Sequence, residues 1–206
     1  MKKGKFIVLE GIDGCGKSTQ GRLLLEYLSA KGVPCMSTRE PTDGPIGGLI
    51  RQCLKGQIET DEKAIASLFV ADRLDHILGP REAILQKINE GVTVISDRYY
   101  FSSYAYHGAF MSMDWVIEAN RFSAEALRPD LNIFLDIEPE QSVKRLARRD
   151  ELERYEKIEA MTLIREKYFE AFEKLKDVEK VCIIKSEDTK EATQAHIRAA
   201  VDKLFS

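Results

Sequence analysis

The sequence predicts an α/β fold, a five-stranded parallel sheet with helices on both faces. Two observations support this prediction. Short apolar runs suited to buried strands alternate with stretches of helical periodicity along the 206 residues, a pattern typical of parallel sheets. The first apolar run, Phe6 to Leu9, breaks into a glycine-rich loop that opens a helix. A chain of this length can bury a sizeable core as one domain, and we therefore predict a single domain over residues 1–206.

The first half of the chain contains three predicted strands, at residues 6–9, 33–38 and 92–96. Helical periodicity between them predicts helices at residues 17–31, 46–54 and 61–89. Gly32 is positioned to end the first helix. Asp61 is positioned to cap the third helix, and Gly79–Pro80 should divide that stretch into two helices.

The second half continues the alternation. Residues 100–127 have a mostly helical pattern with a break at Gly108, and residues 131–136 form the fourth apolar run. Pro139 opens an arginine-rich helix, because proline is tolerated in a first helical turn. The remaining predicted elements are a helix at 158–176, a strand at 181–184 and a helix at 190–205.

Composition limits the classes of function. The net charge of −3 gives no indication of nucleic-acid binding. No apolar run approaches the roughly 18 residues of a membrane span, and the N-terminus has no signal-peptide pattern. We therefore expect a cytoplasmic protein without a membrane or nucleic-acid partner. The four cysteines lie far apart without a C-x-x-C pair, which indicates neither a zinc site nor a disulfide framework.

Residues 11–19 carry a phosphate-binding motif. Gly11, Gly16, Lys17 and Ser18 fill the GxxxxGK[ST] pattern, in which backbone N–H groups surround an anion, the lysine reaches the outer phosphates and the hydroxyl binds Mg²⁺. A chance glycine turn is the alternative, but the strand before the loop and the helix after it favour a true phosphate loop. The predicted loop residues are Gly11, Ile12, Asp13, Gly14, Cys15, Gly16, Lys17, Ser18 and Thr19.

Cys15 lies inside this loop, near Lys17 and a helix N-terminus. Both surroundings lower the pKa of a thiol. The sequence therefore predicts a reactive Cys15 that bound ATP protects, the alternative being an inert buried thiol.

Four separate segments identify a resemblance to a known family. They are Glu10-Gly-Ile-Asp-Gly-Cys-Gly-Lys-Ser-Thr-Gln20, Thr38-Arg-Glu-Pro41, Phe69-Val-Ala-Asp-Arg73, and Asp97-Arg-Tyr99 followed by Ser102-Ser-Tyr-Ala-Tyr106. Together, and in this order, they resemble thymidylate kinase. The resemblance implies a P-loop NTPase core with a helical lid, ATP and Mg²⁺ as cofactors, phosphorylation of dTMP to dTDP, and a homodimer. It also raises the expectation of a cis peptide bond between Glu40 and Pro41.

Three arginines are candidates for binding the acceptor phosphate. Arg98 directly follows a buried strand, and ligands of open α/β sheets bind at the carboxyl ends of strands. Arg39 also follows a strand, whereas the assignment of Arg73 depends mainly on the resemblance. Surface or ion-paired arginines are the alternative for all three. The resemblance also implies that Lys17 and Arg98 are catalytic residues.

The resemblance assigns the rest of the site. Ser18 and Asp97 would bind the metal, although Asp97 could instead cap a helix. Asp13 would accept the 3′-hydroxyl of the acceptor. Phe69 would stack on thymine, its alternative being a core position. The other implied acceptor residues are Ser102, Ser103 and Tyr106.

A lid is expected at about residues 140–157, where basic residues cluster. A solvated charged face is the alternative. Some thymidylate kinases carry a catalytic arginine in the phosphate loop, where this chain has Gly14. This chain therefore resembles the group with a lid arginine, and Arg149 and Arg154 are the candidates.

One residue departs from the family pattern, and two other functions stay open. His107 follows Tyr106 where a small polar residue or an amide is expected. The first alternative function is another nucleoside or nucleoside-monophosphate kinase of the same core. The second is a regulatory P-loop NTPase, although the Asn-Lys-x-Asp motif of a GTPase is absent from the sequence.

Overall fold

A computed structural model describes residues 3–80, 83–146, 157–186 and 189–205. Its strands form one parallel sheet in the order β2-β3-β1-β4-β5, which confirms the predicted fold class. The strands are Phe6–Glu10 (β1), Cys35–Arg39 (β2), Thr93–Asp97 (β3), Leu131–Asp136 (β4) and Val181–Lys185 (β5).

Helices occupy the connections between the strands and cover both faces of the sheet. They are Lys17–Ala30 (α1), Pro45–Leu54 (α2), Glu62–Leu78 (α3), Ile84–Asn89 (α4), Tyr100–Gly108 (α5), Met113–Ala119 (α6), Arg121–Ala126 (α7), Pro139–Leu146 (α8), Ile158–Leu175 (α9) and Lys190–Asp202 (α10).

Most predicted boundaries are close to the observed ones. Asp61 caps α3 by accepting a hydrogen bond from the Lys63 backbone N–H at 2.8 Å, which confirms that prediction. The peptide bond between Glu40 and Pro41 is cis, as expected. Residues 100–127 contain three helices where the sequence predicted one broken stretch. β2 begins two residues later than predicted and β3 one residue later. Each strand also ends one residue later, because the pairing continues to Arg39 and Asp97.

The central strand β1 is buried on both faces, and its residues alternate between two helical layers. On one face, Leu9 packs close to Gly21 of α1, and α1 in turn contacts α10. On the other face, the ring of Phe6 lies edge-on to Tyr99, 5.0 Å away, beneath α5. A helical layer on each face explains why every residue of β1 is buried.

The register of the sheet brings the carboxyl ends of β1, β2 and β3 together. Leu9 of β1 and Arg39 of β2 both align with Asp97 of β3. The loops that follow these strands therefore emerge side by side, at the position where α/β sheets bind ligands. Within the described residues, no helix is both long and apolar enough to cross a bilayer.

Candidate active site

The loop between β1 and α1 wraps around the ammonium group of Lys17. Gly11, Gly14 and Gly16 have φ angles of +142°, +77° and +102°, which only glycine adopts without strain. Lys17 Nζ donates to the carbonyl oxygens of Gly11 at 2.9 Å and Ile12 at 3.0 Å. The loop therefore concentrates positive charge at the start of α1, as an anion site requires.

Gly14 is also required by close packing. A Cβ atom at this position would lie 3.0 Å from the backbone oxygen of Ser142 and 3.1 Å from Leu146. In addition, the Ser142 hydroxyl donates to the Asp13 carbonyl. Helix α8 thus lies directly against the loop and leaves little room for a side chain at position 14.

The lowered thiol pKa on which the prediction of a reactive Cys15 rests is not found in the structure. The thiol is 1% exposed, and burial raises its pKa although the charges of Lys17 and Arg98 oppose this shift. The sequence shows the charged neighbours but not the burial, which disfavours the thiolate. Cys15 packs under the loop, and its backbone carbonyl accepts a hydrogen bond from Ser186 at 3.1 Å.

Two side-chain oxygen atoms meet beside the loop. Ser18, in the first turn of α1, donates its hydroxyl to Asp97 Oδ2 at 2.6 Å. Asp97 ends β3, and the N-cap of the following helix α5 is Tyr99, so Asp97 does not cap that helix. A hydroxyl and a carboxylate are hard oxygen ligands of the kind that Mg²⁺ prefers. These two side chains therefore fit a magnesium site.

Arg98 and Asp13 form an ion pair at the centre of the site. Arg98 has a φ of +73°, unusual for a residue with a side chain. Its guanidinium donates to Asp13 Oδ1 at 2.6 Å, to Ser102 Oγ at 2.9 Å and to the Tyr106 hydroxyl at 3.0 Å. Burial opposes the ionisation of Asp13, but Arg98 and Lys17 outweigh it and lower the pKa of Asp13 to about 2.

Two cavities meet at this ion pair, and both are lined by Asp13 and Arg98. The larger, of about 500 Å³, contains the phosphate loop, Ser18 and Asp97, and we call it the donor cavity. The smaller, of about 120 Å³, is called the acceptor cavity. It is lined by Asp13, Pro41, Leu54, Phe69, Arg98, Ser102, Ser103, Tyr106 and His107.

Residues of helix α5 line the acceptor cavity together with Phe69 of α3. Ser102 and Tyr106 are four residues apart on α5, as are Ser103 and His107, so the helical repeat presents all four on adjacent faces. Phe69 of α3 is partly buried, and its ring centroid lies 5.2 Å from that of His107. The structure therefore brings Phe69, Ser102, Ser103 and Tyr106 together around one cavity.

Arg73 lies behind this cavity and does not line it. Its guanidinium, 1% exposed, bonds Glu40 Oε2 through Nε at 2.8 Å and through a terminal nitrogen at 2.7 Å. The other terminal nitrogen donates to Ser103 Oγ at 3.1 Å and to Asn120. Because these contacts occupy four of the five N–H groups, Arg73 reaches the acceptor cavity mainly through Ser103.

Arg39 lies at the mouth of the donor cavity. It is exposed and pairs with Asp43 at 2.7 Å. Among the described residues, it is not part of the acceptor lining. The predicted lid arginines, Arg149 and Arg154, lie outside the described residues.

Sequence reasoning missed Glu10 as a residue that positions the site. Its fully buried carboxylate accepts hydrogen bonds from the Tyr99 backbone N–H at 2.9 Å, the Ser102 hydroxyl at 2.6 Å and the Tyr168 hydroxyl at 3.0 Å. Burial raises the pKa of Glu10, whereas its hydrogen bonds and the charge of Arg98 lower it. Glu10 therefore anchors the start of α5 to β1. The available signal was an acidic residue at the end of a buried apolar strand.

Comparison with known proteins agrees with this geometry. A family model described as thymidylate kinase matches residues 9–197. The chain is 41% identical over 178 residues to a probable thymidylate kinase of Pyrococcus horikoshii, covering 83% of this chain and 84% of that relative. It is 37% identical over 210 residues to a probable thymidylate kinase of Thermococcus kodakarensis, covering 97% and 98%. A thymidylate kinase of Clostridium novyi is 37% identical over 182 residues, covering 84% and 87%.

Proposed function

The chain belongs to the thymidylate kinase family, and on this premise we propose that it transfers the γ-phosphoryl group of ATP to dTMP, giving dTDP and ADP. One observation of the site carries the proposal. A donor cavity with a phosphate loop and a smaller acceptor cavity share the Asp13–Arg98 ion pair as their common wall. A phosphoryl donor and its acceptor must meet end to end, and this arrangement supports such a meeting.

On the donor side, the amides of residues 11–19 surround the phosphates of ATP. Lys17 leaves the Gly11 and Ile12 carbonyls and binds the outer phosphates. Ser18 and Asp97 would hold Mg²⁺, which neutralises charge on the phosphate oxygens when it is bound. Tight packing of Gly14 against α8 supports the expectation that the catalytic arginine comes from elsewhere, with Arg149 and Arg154 as the candidates from the resemblance.

On the acceptor side, Arg98 binds the phosphate of dTMP and covers the group in transfer. Asp13 accepts the 3′-hydroxyl of the sugar, and Tyr106 lies beside C2′, where its ring excludes a ribose hydroxyl. Phe69 stacks on thymine, a contact worth about 1–3 kcal/mol. Arg39, at the mouth of the donor cavity, turns from Asp43 to the phosphate of dTMP. Arg73 holds Ser103 in place beside the edge of the base.

The reaction needs no side chain as a general base. The acceptor phosphate is already anionic, so its oxygen attacks the γ-phosphorus while the bond to the bridging β–γ oxygen breaks. Asp13 is a weak base, because its pKa is held at about 2 by Arg98 and Lys17 against the effect of burial. Its role is to accept a hydrogen bond and to orient Arg98. The side chains therefore act by positioning and by stabilising charge.

A coupled assay of ADP release across a panel of monophosphates tests this function. We expect kcat/KM to fall in the order dTMP, dUMP, then dCMP and UMP far behind, because one methyl contributes only about 1–3 kcal/mol in an apolar pocket. Tyr106→Phe should keep the discrimination against UMP, since the ring excludes the hydroxyl. ATP consumption that needs no monophosphate would favour a regulatory NTPase. A different monophosphate matching dTMP would indicate another kinase of the same core.

Two properties implied by the family belong to the same proposal. We propose a homodimer, and light scattering coupled to gel filtration measures its mass directly. A cytoplasmic location is the second, and fractionation of cells that express the chain tests it.

A further inference from the structure

His107 is a buried polar residue in the acceptor cavity that the reaction leaves without a role. It is 2% exposed, lines the cavity and packs against Phe69 with ring centroids 5.2 Å apart at 57°. Its Nδ1 has no hydrogen-bond partner among the described residues. Buried polar atoms in native proteins are nearly always paired, so this nitrogen requires an explanation.

The imidazole is neutral at physiological pH. Burial lowers the pKa of His107 to about 4, and the positive charge of Arg73 adds to the effect. A neutral imidazole carries one N–H donor and one lone pair. His107 therefore carries one donor and one acceptor, and its side chain lines a cavity whose wall is otherwise partly apolar.

The other polar groups of the cavity are already engaged with protein partners. Asp13, Arg98, Ser102 and Tyr106 bond one another where the two cavities meet. Ser103 Oγ accepts a hydrogen bond from Arg73, which can only donate, so the O–H of Ser103 stays available as a donor. Among the described lining residues, His107 is the polar side chain with no hydrogen bond.

We propose that His107 determines base specificity by pairing with the pyrimidine edge of the acceptor nucleotide, an inference that rests on the proposed function. The unprotonated ring nitrogen accepts N3–H of thymine or uracil, while the Ser103 hydroxyl donates to O4. Ser103 and His107 are one helical turn apart on α5 and line the same cavity as Phe69. A base that stacks on the phenyl ring therefore lies within reach of both.

Cytosine reverses both partners. Its N3 carries no proton, and an amino group replaces O4. To bind it, the imidazole must change tautomer, and Ser103 must turn its O–H away from the base while it still accepts from Arg73. The pair therefore favours thymine and uracil over cytosine, but it does not distinguish thymine from uracil, because neither group contacts the methyl.

Three variants test this role through kcat/KM for dTMP, dUMP and dCMP. His107→Leu removes the pairing, and dTMP and dUMP should each lose about tenfold or more while dCMP changes little. The dTMP to dUMP ratio should stay constant. His107→Gln keeps a donor and an acceptor, and it should restore most of the preference against dCMP. Phe69→Leu is the matched control, since loss of stacking should weaken all three substrates together.

A binding experiment on the wild-type protein provides a second readout. The chain has three histidines, and His107→Gln assigns the ring-nitrogen resonances of His107 in the ¹⁵N-histidine-labelled protein. Addition of dTMP should shift the His107 acceptor nitrogen, and addition of dCMP should not produce the same shift.

The outcomes separate this inference from the proposed function. Unchanged discrimination against dCMP in a folded His107→Leu, or equal losses for all three substrates, would overturn the role of His107 and leave the kinase assignment intact. If His107→Leu does not fold, the resonance titration decides. A wild-type protein that phosphorylates none of the monophosphates would refute the proposed function, and the dTMP titration would still test the contact.

Discussion

Replacement of Glu40 by glutamine tests whether the buried Glu40–Arg73 pair holds the wall behind the acceptor cavity. The side chains are 2% and 1% exposed, and Glu40 Oε2 lies 2.7 Å and 2.8 Å from two guanidinium nitrogens. His76 Nδ1 lies 3.2 Å from the other carboxylate oxygen. Glu40→Gln keeps the shape and the hydrogen-bond acceptor, but it leaves the Arg73 charge buried without a counter-ion.

The expected loss of folding stability is large. Removal of one partner of a buried ion pair costs about 3–5 kcal/mol. For a chain of this size, 1 kcal/mol corresponds to about 2–4 °C in Tm, so the melting temperature should fall by about 6–20 °C. Circular dichroism melts measure the Tm, and urea titrations independently measure the free energy of unfolding. The matched control is Asp43→Asn, which breaks the exposed 2.7 Å pair with Arg39 and should cause no measurable shift.

A double-mutant cycle separates the charge from the packing. Arg73→Met alone should also be strongly destabilising, because it leaves Glu40 without its arginine. The combination Glu40→Gln/Arg73→Met removes both charges, and its loss should fall well below the sum of the single losses. A single-variant shift under about 2 °C, or losses that simply add, would show that the pair is not the buried, coupled contact described above.

Three further predictions follow from the phosphate loop. Asp13 has a folded pKa of about 2 against an ordinary value of 3.8, so its ionic contribution to stability is present above pH 3.8 and is lost as the pH falls toward 2. The free energies of unfolding of wild type and Asp13→Asn, measured by urea titration, should therefore converge over that interval. A constant difference between them would contradict the ion pair. Gly11→Ala should abolish nucleotide binding measured by calorimetry, because at φ +142° the added Cβ would lie 2.7 Å from Cys15 Sγ and 2.8 Å from the Leu135 backbone oxygen. The control Gly48→Ala, which has open space around the added Cβ, should bind normally. Iodoacetamide should alkylate the half-buried Cys35 before Cys15, with or without ATP; mass spectrometry showing faster modification of Cys15 would restore the reactive thiol that the sequence suggested.

Features set by local sequence could be predicted without the structure. The apolar run before the glycines and the spacing of Gly16, Lys17 and Ser18 define a strand, a loop and a helix within a few residues. The position of Asp97 after an apolar run places it at the end of a strand. The observed contact between Ser18 and Asp97 then requires only that β1 and β3 be neighbours.

Features set by long-range packing could not be predicted. The environment of Arg73 depends on Glu40, 33 residues earlier, and on Asn120, 47 residues later, and no local pattern relates these positions. The backbone carbonyl of Cys15 likewise bonds Ser186, 171 residues away. The sequence marked His107 as unusual, but only the fold shows that its ring faces Phe69 and lines a cavity.

The contacts of Glu10 also restrict how segments of such enzymes can be exchanged. Its carboxylate joins the strand of the phosphate loop to Ser102 of α5 and to Tyr168 of α9, three parts of the chain that are far apart in sequence. A chimaera whose α5 has no hydroxyl at the position of Ser102 would bury this acid with one hydrogen-bond partner fewer, a costly arrangement. We therefore expect segment grafts to succeed when Glu10, Ser102 and Tyr168 are transferred together.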